Sequence, residues 1–317
     1  MMNTERNSMK KAFGDALVDI ARDNDNVWYV DADSASSTGG RSFMELFPDR
    51  YCNTGVAEQE LVAVSSGLSQ TGRKVFASSI SSFLAGRAYD QIRTLISLPE
   101  LPVTLVGSHG GVTVGPDGAT HQMLEDIALM RALPNISVLV PSDYWSAYHL
   151  IRSTVSSNAP SYVRLCRSNL PTVYTASDTD LVPGSGRMLV EGGGVTICAC
   201  GIMVHEALKA AEILSQQDLS AEVIDCYSVN PLPYQVILAS VRRTGCCVVA
   251  EEHSSRGGLG EAIASLVAGK YPVPVKFVSV ENRFGQSGTP EELQEFYGLT
   301  GNQVVSASVQ AWTMRRR

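Results

Sequence analysis

The sequence predicts an α/β protein made of two consecutive three-layer α/β/α domains, the first of which has a mostly parallel sheet. Three observations lead to this prediction. The 317 residues suit roughly two domains. Short apolar runs alternate with helical patterns, which is typical of parallel sheets covered by helices. A stretch rich in Pro, Ser, Thr, Asp and Gly separates two such sets, so we expect domains at 1–170 and 195–317, the second smaller, joined by a linker at 171–194.

In the first domain, strands and helices are expected in turn along the chain. Apolar residues at helical spacing predict a helix that begins after Ser8. Apolar runs and further helical stripes then predict strands at 27–30, 75–77, 103–106, 138–140 and 162–165, and helices at 58–69 and 88–96.

The second domain repeats the alternation after the run Gly192-Gly193-Gly194. Its apolar runs predict strands at 195–199, 221–224, 246–250 and 275–280, and its helical stripes predict helices at 207–214 and 260–268. Its strand ends offer few reactive side chains apart from 251–253 (Glu-Glu-His), so we expect the chemistry to lie mainly in the first domain.

The composition argues against several classes of protein. A net charge of −7 does not suit a general nucleic-acid binder, which presents a basic surface. No run reaches the roughly 20 apolar residues of a membrane helix, and the polar start carries no secretory signal. The seven cysteines fall mostly in apolar runs, so we expect free core thiols in a reducing cytoplasm rather than a disulfide framework.

Polar side chains gather where the predicted strands of the first domain end. Asp31 and Asp33 follow one strand, His109 follows another and Arg167 follows the last. Because open parallel sheets bind ligands beyond the carboxyl ends of their strands, we expect a ligand site at this edge.

The most informative segment is residues 108–122 (Ser-His-Gly-Gly-Val-Thr-Val-Gly-Pro-Asp-Gly-Ala-Thr-His-Gln), here called the glycine loop. Its four glycines permit tight backbone turns, and it carries two histidines and an aspartate. Long loops in compact domains are often functional. The pattern alone leaves open a structural loop with incidental polar residues.

Several motifs together resemble those of thiamine-diphosphate-dependent transketolases. Residues 53–59 (Asn-Thr-Gly-Val-Ala-Glu-Gln) resemble the family's pyrimidine-activating motif, and residues 115–122 resemble its substrate loop. Residues 86–93 (Gly-Arg-Ala-Tyr-Asp-Gln-Ile-Arg) resemble the helix after its aromatic cofactor platform. The likeness extends from about residue 10 to 299, so the resemblance implies a pyrimidine-binding domain followed by a transketolase C-terminal domain, as in the C-terminal subunit of a split transketolase.

The resemblance implies a cofactor role for four residues. Glu58 would hydrogen-bond the pyrimidine ring of thiamine diphosphate and favour the imino tautomer that removes the carbon-2 proton. Phe83 would stack on the pyrimidine, Asp33 would belong to the cofactor site, and Ile80 stands where many relatives have a second aromatic. From the spacing alone, Glu58 is also a carboxylate that stabilises a helix start.

Substrate contacts are implied for a second set of residues. His121 would lie near the reactive carbon and assist proton transfers, which suits histidine chemistry. Asp117 would accept a hydrogen bond from a substrate hydroxyl, and His109 would lie further out. The distal anion would meet Arg167, Ser37 and Lys10.

Lys10 departs from the family pattern, because relatives usually carry an arginine at this position and the two are not equivalent at a forked site. The substrate could therefore carry a phosphate, a sulfonate or no anion.

One family motif is missing from the sequence. Transketolases hold the diphosphate and its metal through Gly-Asp-Gly, which does not occur here, and the sequence begins almost at the pyrimidine domain. We therefore expect no metal ligands in this chain and a separate diphosphate-binding subunit that supplies the Mg²⁺ site, with two copies of each chain.

Other functions share part of this pattern. The beta subunit of a 2-oxo acid dehydrogenase has the same architecture and activating glutamate, although the glycine loop suits a sugar channel better. Deoxyxylulose-phosphate synthase is normally one long chain. A non-catalytic partner-binding subunit is a further alternative, against which the joint presence of Glu58, His109, Asp117 and His121 argues.

Overall fold

A computed structural model describes residues 3–315 of the chain. It contains fourteen strands in the described part. In chain order they are β1 (Asn3–Ser8), β2 (Val27–Asp31), β3 (Tyr51–Asn53), β4 (Lys74–Ile80), β5 (Val103–Ser108), β6 (Ser137–Leu139), β7 (Ser161–Arg164), β8 (Asn169–Thr172), β9 (Arg187–Val190), β10 (Val195–Ala199), β11 (Ala221–Asp225), β12 (Ser228–Asn230), β13 (Cys247–Ser254) and β14 (Val275–Val280).

The helices alternate with these strands. They are α1 (Met9–Asp23), α2 (Ala35–Thr38), α3 (Arg41–Leu46), α4 (Glu58–Gln70), α5 (Tyr89–Gln91), α6 (Asp126–Arg131), α7 (Tyr144–Thr154), α8 (Met203–Ser215), α9 (Tyr234–Thr244), α10 (Leu259–Lys270), α11 (Pro290–Phe296) and α12 (Gly301–Met314). Short 3₁₀ turns lie at Pro48–Arg50 and Val112–Val114, and π-helical turns at Ser82–Arg87 and Ile92–Ser97.

Two sheets form the centres of the two domains, as predicted. The first has seven strands in the order β12-β6-β7-β5-β4-β2-β3, all parallel except β12, which runs antiparallel to β6. The second has five strands in the order β14-β13-β10-β11-β9, parallel except for the edge strand β9. A small antiparallel pair joins β1 to β8.

The core lies on both faces of the sheets, which gives the three layers. Val75 and Ala77 of β4 enter one buried cluster, whereas Phe76 between them enters the other, because neighbouring strand residues face opposite ways. In β10, Ile197 likewise enters one cluster and its neighbour Cys198 enters the other. Each cluster contains residues from both domains, so the two sheets share continuous apolar layers.

The structure differs from the predicted elements in three places. The stretch expected as one helix at 88–96 is a single α-turn flanked by the two π-helical turns. The segment 171–194 contains β9, which pairs with β11, so part of the expected linker belongs to the second sheet. Strand β12, from the second half of the chain, completes the edge of the first sheet. Within residues 3–315, no helix is long and apolar enough to cross a membrane.

Candidate functional site

The candidate site lies at the carboxyl ends of β2, β4, β5 and β7, where parallel strands deliver their following residues to one edge. Asp33 follows β2, Ile80 ends β4 and His109 follows β5. Arg167 follows β7 by three residues. The alternation of strands and helices therefore brings together residues that are far apart in the sequence.

Glu58 is the first residue of α4 and is only 1% exposed. The Ser79 hydroxyl donates to its Oε1 at 3.0 Å, and Arg87 Nη1 donates to its Oε2 at 2.5 Å. Its position at the helix start also fits the favourable helix dipole, but that interaction does not require burial. A buried carboxylate needs compensation, and among residues 3–315 one hydroxyl and one half-exposed arginine provide its hydrogen bonds.

Arg87 and Phe83 share the π-helical turn Ser82–Arg87. The Arg87 guanidinium carbon lies 4.6 Å from the centre of the Phe83 ring, so the cation covers the ring face while it binds Glu58. Turns of the π type are rare and are frequently found at functional sites. The geometry places a planar cation against an aromatic face and a buried carboxylate at once.

His121 approaches the same aromatic ring from the glycine loop. Its ring centre lies 5.2 Å from that of Phe83, in an edge-to-face arrangement. The Thr120 hydroxyl lies 3.1 Å from His121 Nδ1. Ile80 is half-buried at the end of β4. The structure thus unites three predicted site residues, Glu58, Phe83 and His121, around one position.

His109 opens the glycine loop in a left-handed backbone conformation (φ 61°), which is uncommon for a residue with a side chain. Its Nδ1 lies 2.6 Å from the Ser108 hydroxyl. Burial, together with the positive charge of Arg167, lowers the pKa of His109 to about 4. The imidazole is therefore neutral at physiological pH.

Asp117 and Arg167 form an ion pair above the loop. Arg167 Nη1 donates to Asp117 Oδ2 at 2.9 Å and to the Val114 carbonyl at 3.0 Å. The two side chains are 40% and 46% exposed. Lys10 lies close enough to help lower the pKa of His109, so the structure groups these four predicted substrate residues.

The remaining predicted residues lie at the rim. Ser37 is exposed on α2. The residue after α2, Gly39, packs so closely against the start of α1 that a Cβ added to it would lie 2.0 Å from the Lys10 carbonyl oxygen. Ser37 and Lys10 therefore lie on neighbouring segments. Asp33 is exposed, adopts φ 58° and accepts a hydrogen bond from Asn53 Nδ2 at 3.0 Å. Among the described residues, no hydrogen bond joins Asp33 to Glu58.

Two functional features were not foreseen from the sequence. Arg87 lies within the motif at 86–93, but the pattern does not reveal that it pairs with Glu58. Glu252, in the second domain, reaches the glycine loop: its Oε1 accepts a hydrogen bond from the Thr113 amide at 2.7 Å. Its position in a Glu-Glu-His run at a strand end was the only available signal.

The described residues suit one half of a thiamine site. A buried carboxylate joined through Arg87 to a partly exposed aromatic ring fits an aminopyrimidine, which offers a ring nitrogen and a planar face. By contrast, residues 3–315 contain no group of three or more His, Cys, Asp or Glu side chains placed to hold a metal ion. The fold and the site together define a two-domain α/β protein with a cluster of polar and aromatic side chains at a sheet edge.

Comparison with known proteins places this architecture in a family. Residues 5–173 match the transketolase pyrimidine binding domain, and residues 184–304 match the transketolase C-terminal domain. The chain belongs to the transketolase family, and the resemblance predicted from its motifs is confirmed.

Several relatives share nearly the full length of the chain. A putative transketolase C-terminal section from Methanocaldococcus jannaschii is 39% identical over 298 residues, 93% of each protein. The 6-deoxy-6-sulfo-D-fructose transketolase subunit SqwH of Clostridium sp. (strain MSTE9) is 35% identical, covering 96% of this chain and 94% of that protein. A solved split gene transketolase, an inactive β4 tetramer, is 40% identical with a TM-score of 0.89, covering 98% of this chain and 99% of that one.

Proposed function

We propose that this chain is the pyrimidine-binding subunit of a two-chain transketolase, which moves a two-carbon ketol unit from a ketose to an aldose. The observation that carries the proposal is the position of Glu58: its carboxylate is 1% exposed and is bound by Arg87, which also covers the Phe83 ring that His121 approaches. Such a carboxylate is costly to bury, and a ligand that hydrogen-bonds to it supplies a reason for its presence.

Transketolases depend on thiamine diphosphate, which supplies the nucleophilic carbon and the electron sink for breaking and making carbon–carbon bonds. Glu58 would accept a hydrogen bond from the pyrimidine ring nitrogen when that nitrogen carries a proton, as it does in the imino tautomer. A carboxylate has about four acceptor positions, so Glu58 can keep its bond from Ser79 while it accepts another. Phe83 would support the face of the pyrimidine ring. Arg87, which covers Phe83 in the free chain, would then either move off the Phe83 ring or continue to bind Glu58 beside the pyrimidine.

The glycine loop would handle the sugar. His121 lies at the edge of Phe83, where it can exchange protons with hydroxyls next to the reacting carbon. Asp117 would accept a hydrogen bond from a substrate hydroxyl. His109 is neutral, so it can either donate or accept a hydrogen bond with the distal part of the sugar.

Arg167, Lys10 and Ser37 would receive an anionic end of the sugar. In the free chain Arg167 is paired with Asp117, but both side chains are about half exposed. Exposed ion pairs contribute only about 0–1 kcal/mol, so an incoming anion can separate this pair at little cost.

We infer that the diphosphate and Mg²⁺ are held by a separate subunit, with two copies of each chain in the complex. The chain covers nearly the full length of a transketolase C-terminal section, of a transketolase subunit and of a split gene transketolase, which supports this inference. Val56, two residues before Glu58, is 72% exposed, and Phe284 is 83% exposed, so each offers apolar surface for a partner. All seven cysteines are free, which supports a reducing compartment, and we place the complex in the cytoplasm.

The anion need not be a phosphate. The relative SqwH belongs to a 6-deoxy-6-sulfo-D-fructose transketolase, which supports a sulfonate as one candidate. A lysine at position 10 acts as a point charge and imposes less geometry than an arginine. A screen of phosphorylated, sulfonated and neutral ketoses with the assembled complex would identify the donor.

The experiment that tests the function compares Glu58→Ala with Glu60→Ala in the complex with its diphosphate-binding partner. Glu60 lies in the same first helical turn but is exposed, so it is a matched control. Two-carbon transfer between sugars should be lost in Glu58→Ala and kept in Glu60→Ala. Full transfer activity in Glu58→Ala would favour a non-catalytic binding subunit, and decarboxylation of 2-oxo acids without sugar transfer would favour a dehydrogenase beta subunit.

A further inference from the structure

The glycine loop is held from the second domain as well as from its own sheet. Glu252 lies near the end of β13, in the second sheet, and is only 2% exposed. Its Oε1 accepts a hydrogen bond from the Thr113 amide at 2.7 Å, across 139 residues of sequence. Thr113 lies midway between His109 and Asp117, so this contact acts on the part of the loop that carries the substrate residues.

The loop backbone is shaped to receive this carboxylate. Gly111 has φ +91°, and a Cβ added to it would lie 2.1 Å from the carboxyl carbon of Glu252. A side chain at this position would therefore displace the carboxylate. The glycine is required both by the backbone conformation and by the close approach of Glu252.

A second contact joins the loop to the C-terminal domain. Gln122 Nε2 donates to the carbonyls of Val112 at 3.1 Å and Gly115 at 3.2 Å within the loop, and to that of Gln286 at 2.9 Å in the second domain. A Cβ added at Gly285 would lie 1.7 Å from Gln122 Oε1. The end of the loop is thus tied to its middle and to the segment that follows β14.

Arg164 connects these contacts to the first sheet. It is buried and pairs with Asp126, with Nε at 2.9 Å from Oδ2. Its Nη2 donates to the carbonyl of Glu252 at 2.9 Å and to that of Met123, next to the loop, at 3.2 Å. The guanidinium offsets the buried negative charges of Asp126 and Glu252.

We propose that Glu252 is a positioning residue for the reaction: through the Thr113 amide it fixes the glycine loop in the conformation that presents His109, Asp117 and His121 to the sugar. The kinetic part of this inference rests on the proposed function, whereas the structural part does not. The C-terminal domain thereby acts on substrate binding without touching the substrate.

A hydrogen-exchange measurement on the full chain tests the structural part. Glu252→Ala removes the acceptor for the Thr113 amide, and amides at 112–118 should exchange about tenfold faster or more, as expected for a lost hydrogen bond to a charged acceptor. Glu251→Ala is the matched control. Glu251 is equally buried on the same strand, but its carboxylate accepts from the amides of Leu259 and Gly260 at the start of α10.

The outcomes distinguish a specific effect of Glu252 on the glycine loop from a general stabilisation of the contact between the two domains. Faster exchange at 112–118 in Glu252→Ala, with Glu251→Ala affecting only the start of α10, supports the proposal. Unchanged loop exchange in Glu252→Ala, or the same loop acceleration in Glu251→Ala, overturns it. Should Glu252→Ala fail to fold, Glu252→Met keeps most of the side-chain volume without an oxygen that can accept the Thr113 amide, and its loop amides are read in the same way.

Kinetics of the assembled complex give a second readout. Glu252→Met, which has no oxygen acceptor for the Thr113 amide, should raise KM for the sugar about tenfold. The affinity for thiamine diphosphate, measured by titration, should stay within about twofold, since Glu58 and Phe83 lie outside the loop. A change in cofactor affinity with an unchanged sugar KM would contradict the proposal. If the wild-type complex transfers no ketol unit, the proposed function fails, and the exchange result still decides the role of Glu252.

Discussion

Removing Arg87 should destabilise the chain mainly through Glu58. In Arg87→Met the aliphatic part of the side chain can still cover Phe83, but the Glu58 carboxylate keeps only the Ser79 hydroxyl as a donor. Breaking a fully buried ion pair costs about 3–5 kcal/mol. Because the Arg87 side chain is 42% exposed, water can partly replace it, and we expect about 2 kcal/mol.

Substitution of the other partner, Glu58, should lower the free energy of unfolding much less. In Glu58→Gln the remaining guanidinium is half exposed and regains water, so the cost should stay below about 1 kcal/mol. The double variant should then be about as stable as Glu58→Gln alone. The expected coupling energy between the two residues is therefore about 2 kcal/mol.

Urea unfolding of the four proteins, without cofactor or partner, measures this coupling as a double-mutant cycle. The exposed pair Arg41–Glu45, with side chains 66% and 56% exposed, supplies a control cycle that should give only about 0.3–0.5 kcal/mol. If Arg87→Met and Glu58→Gln prove additive within about 0.5 kcal/mol, Arg87 does not compensate the buried carboxylate and the reasoning fails.

Three further predictions follow from the buried charges. Burial lowers the pKa of His109 to about 4, so as the pH falls below 6.5 the unfolded chain binds a proton that the folded chain does not, and the wild type loses stability. Thermal melts should show that His109→Asn loses less stability than the wild type between pH 7 and pH 5. Asp126→Ala leaves Arg164 buried without its partner and should cost about 3–5 kcal/mol in urea unfolding, and a loss below about 1 kcal/mol would contradict this. Burial raises the pKa of Glu252 from 4.5 to about 6, so the wild type loses stability as the pH rises and Glu252 ionises in the folded chain. Glu252→Gln has no such ionisation, so its stability relative to wild type should rise by about 2 kcal/mol from pH 4.5 to pH 8, because each pKa unit is worth about 1.36 kcal/mol. A stability difference that stays constant with pH would refute the assignment.

Much of the fold could be predicted because its elements carry strong local patterns. The apolar run at 27–30 and the helical stripe that follows Ser8 both correspond to observed elements, β2 and α1. Strand β1 (Asn3–Ser8) is polar, and β12 has only three residues, so neither has an apolar pattern to reveal it. Their pairing with β8 and β6 depends on tertiary contacts.

The candidate site could be predicted in part for a similar reason. Glu58 and His121 belong to motifs that carry the family resemblance, and Phe83 lies just before a third such motif; Arg87 links Glu58 to Phe83, which His121 approaches. The partners of these residues follow from chain packing. Glu252 meets Thr113 across two domains, and the pattern around it looks like an ordinary strand end.

The most direct test of the central claim is the rate of hydrogen–deuterium exchange at carbon-2 of thiamine diphosphate bound to the complex of this chain with its diphosphate-binding partner. Glu58→Ala should slow this exchange by about a hundredfold or more, as expected for loss of acid–base assistance, while Glu60→Ala should exchange at the wild-type rate. Bound cofactor that exchanges equally fast in Glu58→Ala and in the wild type would contradict the assignment of Glu58 as the activating residue.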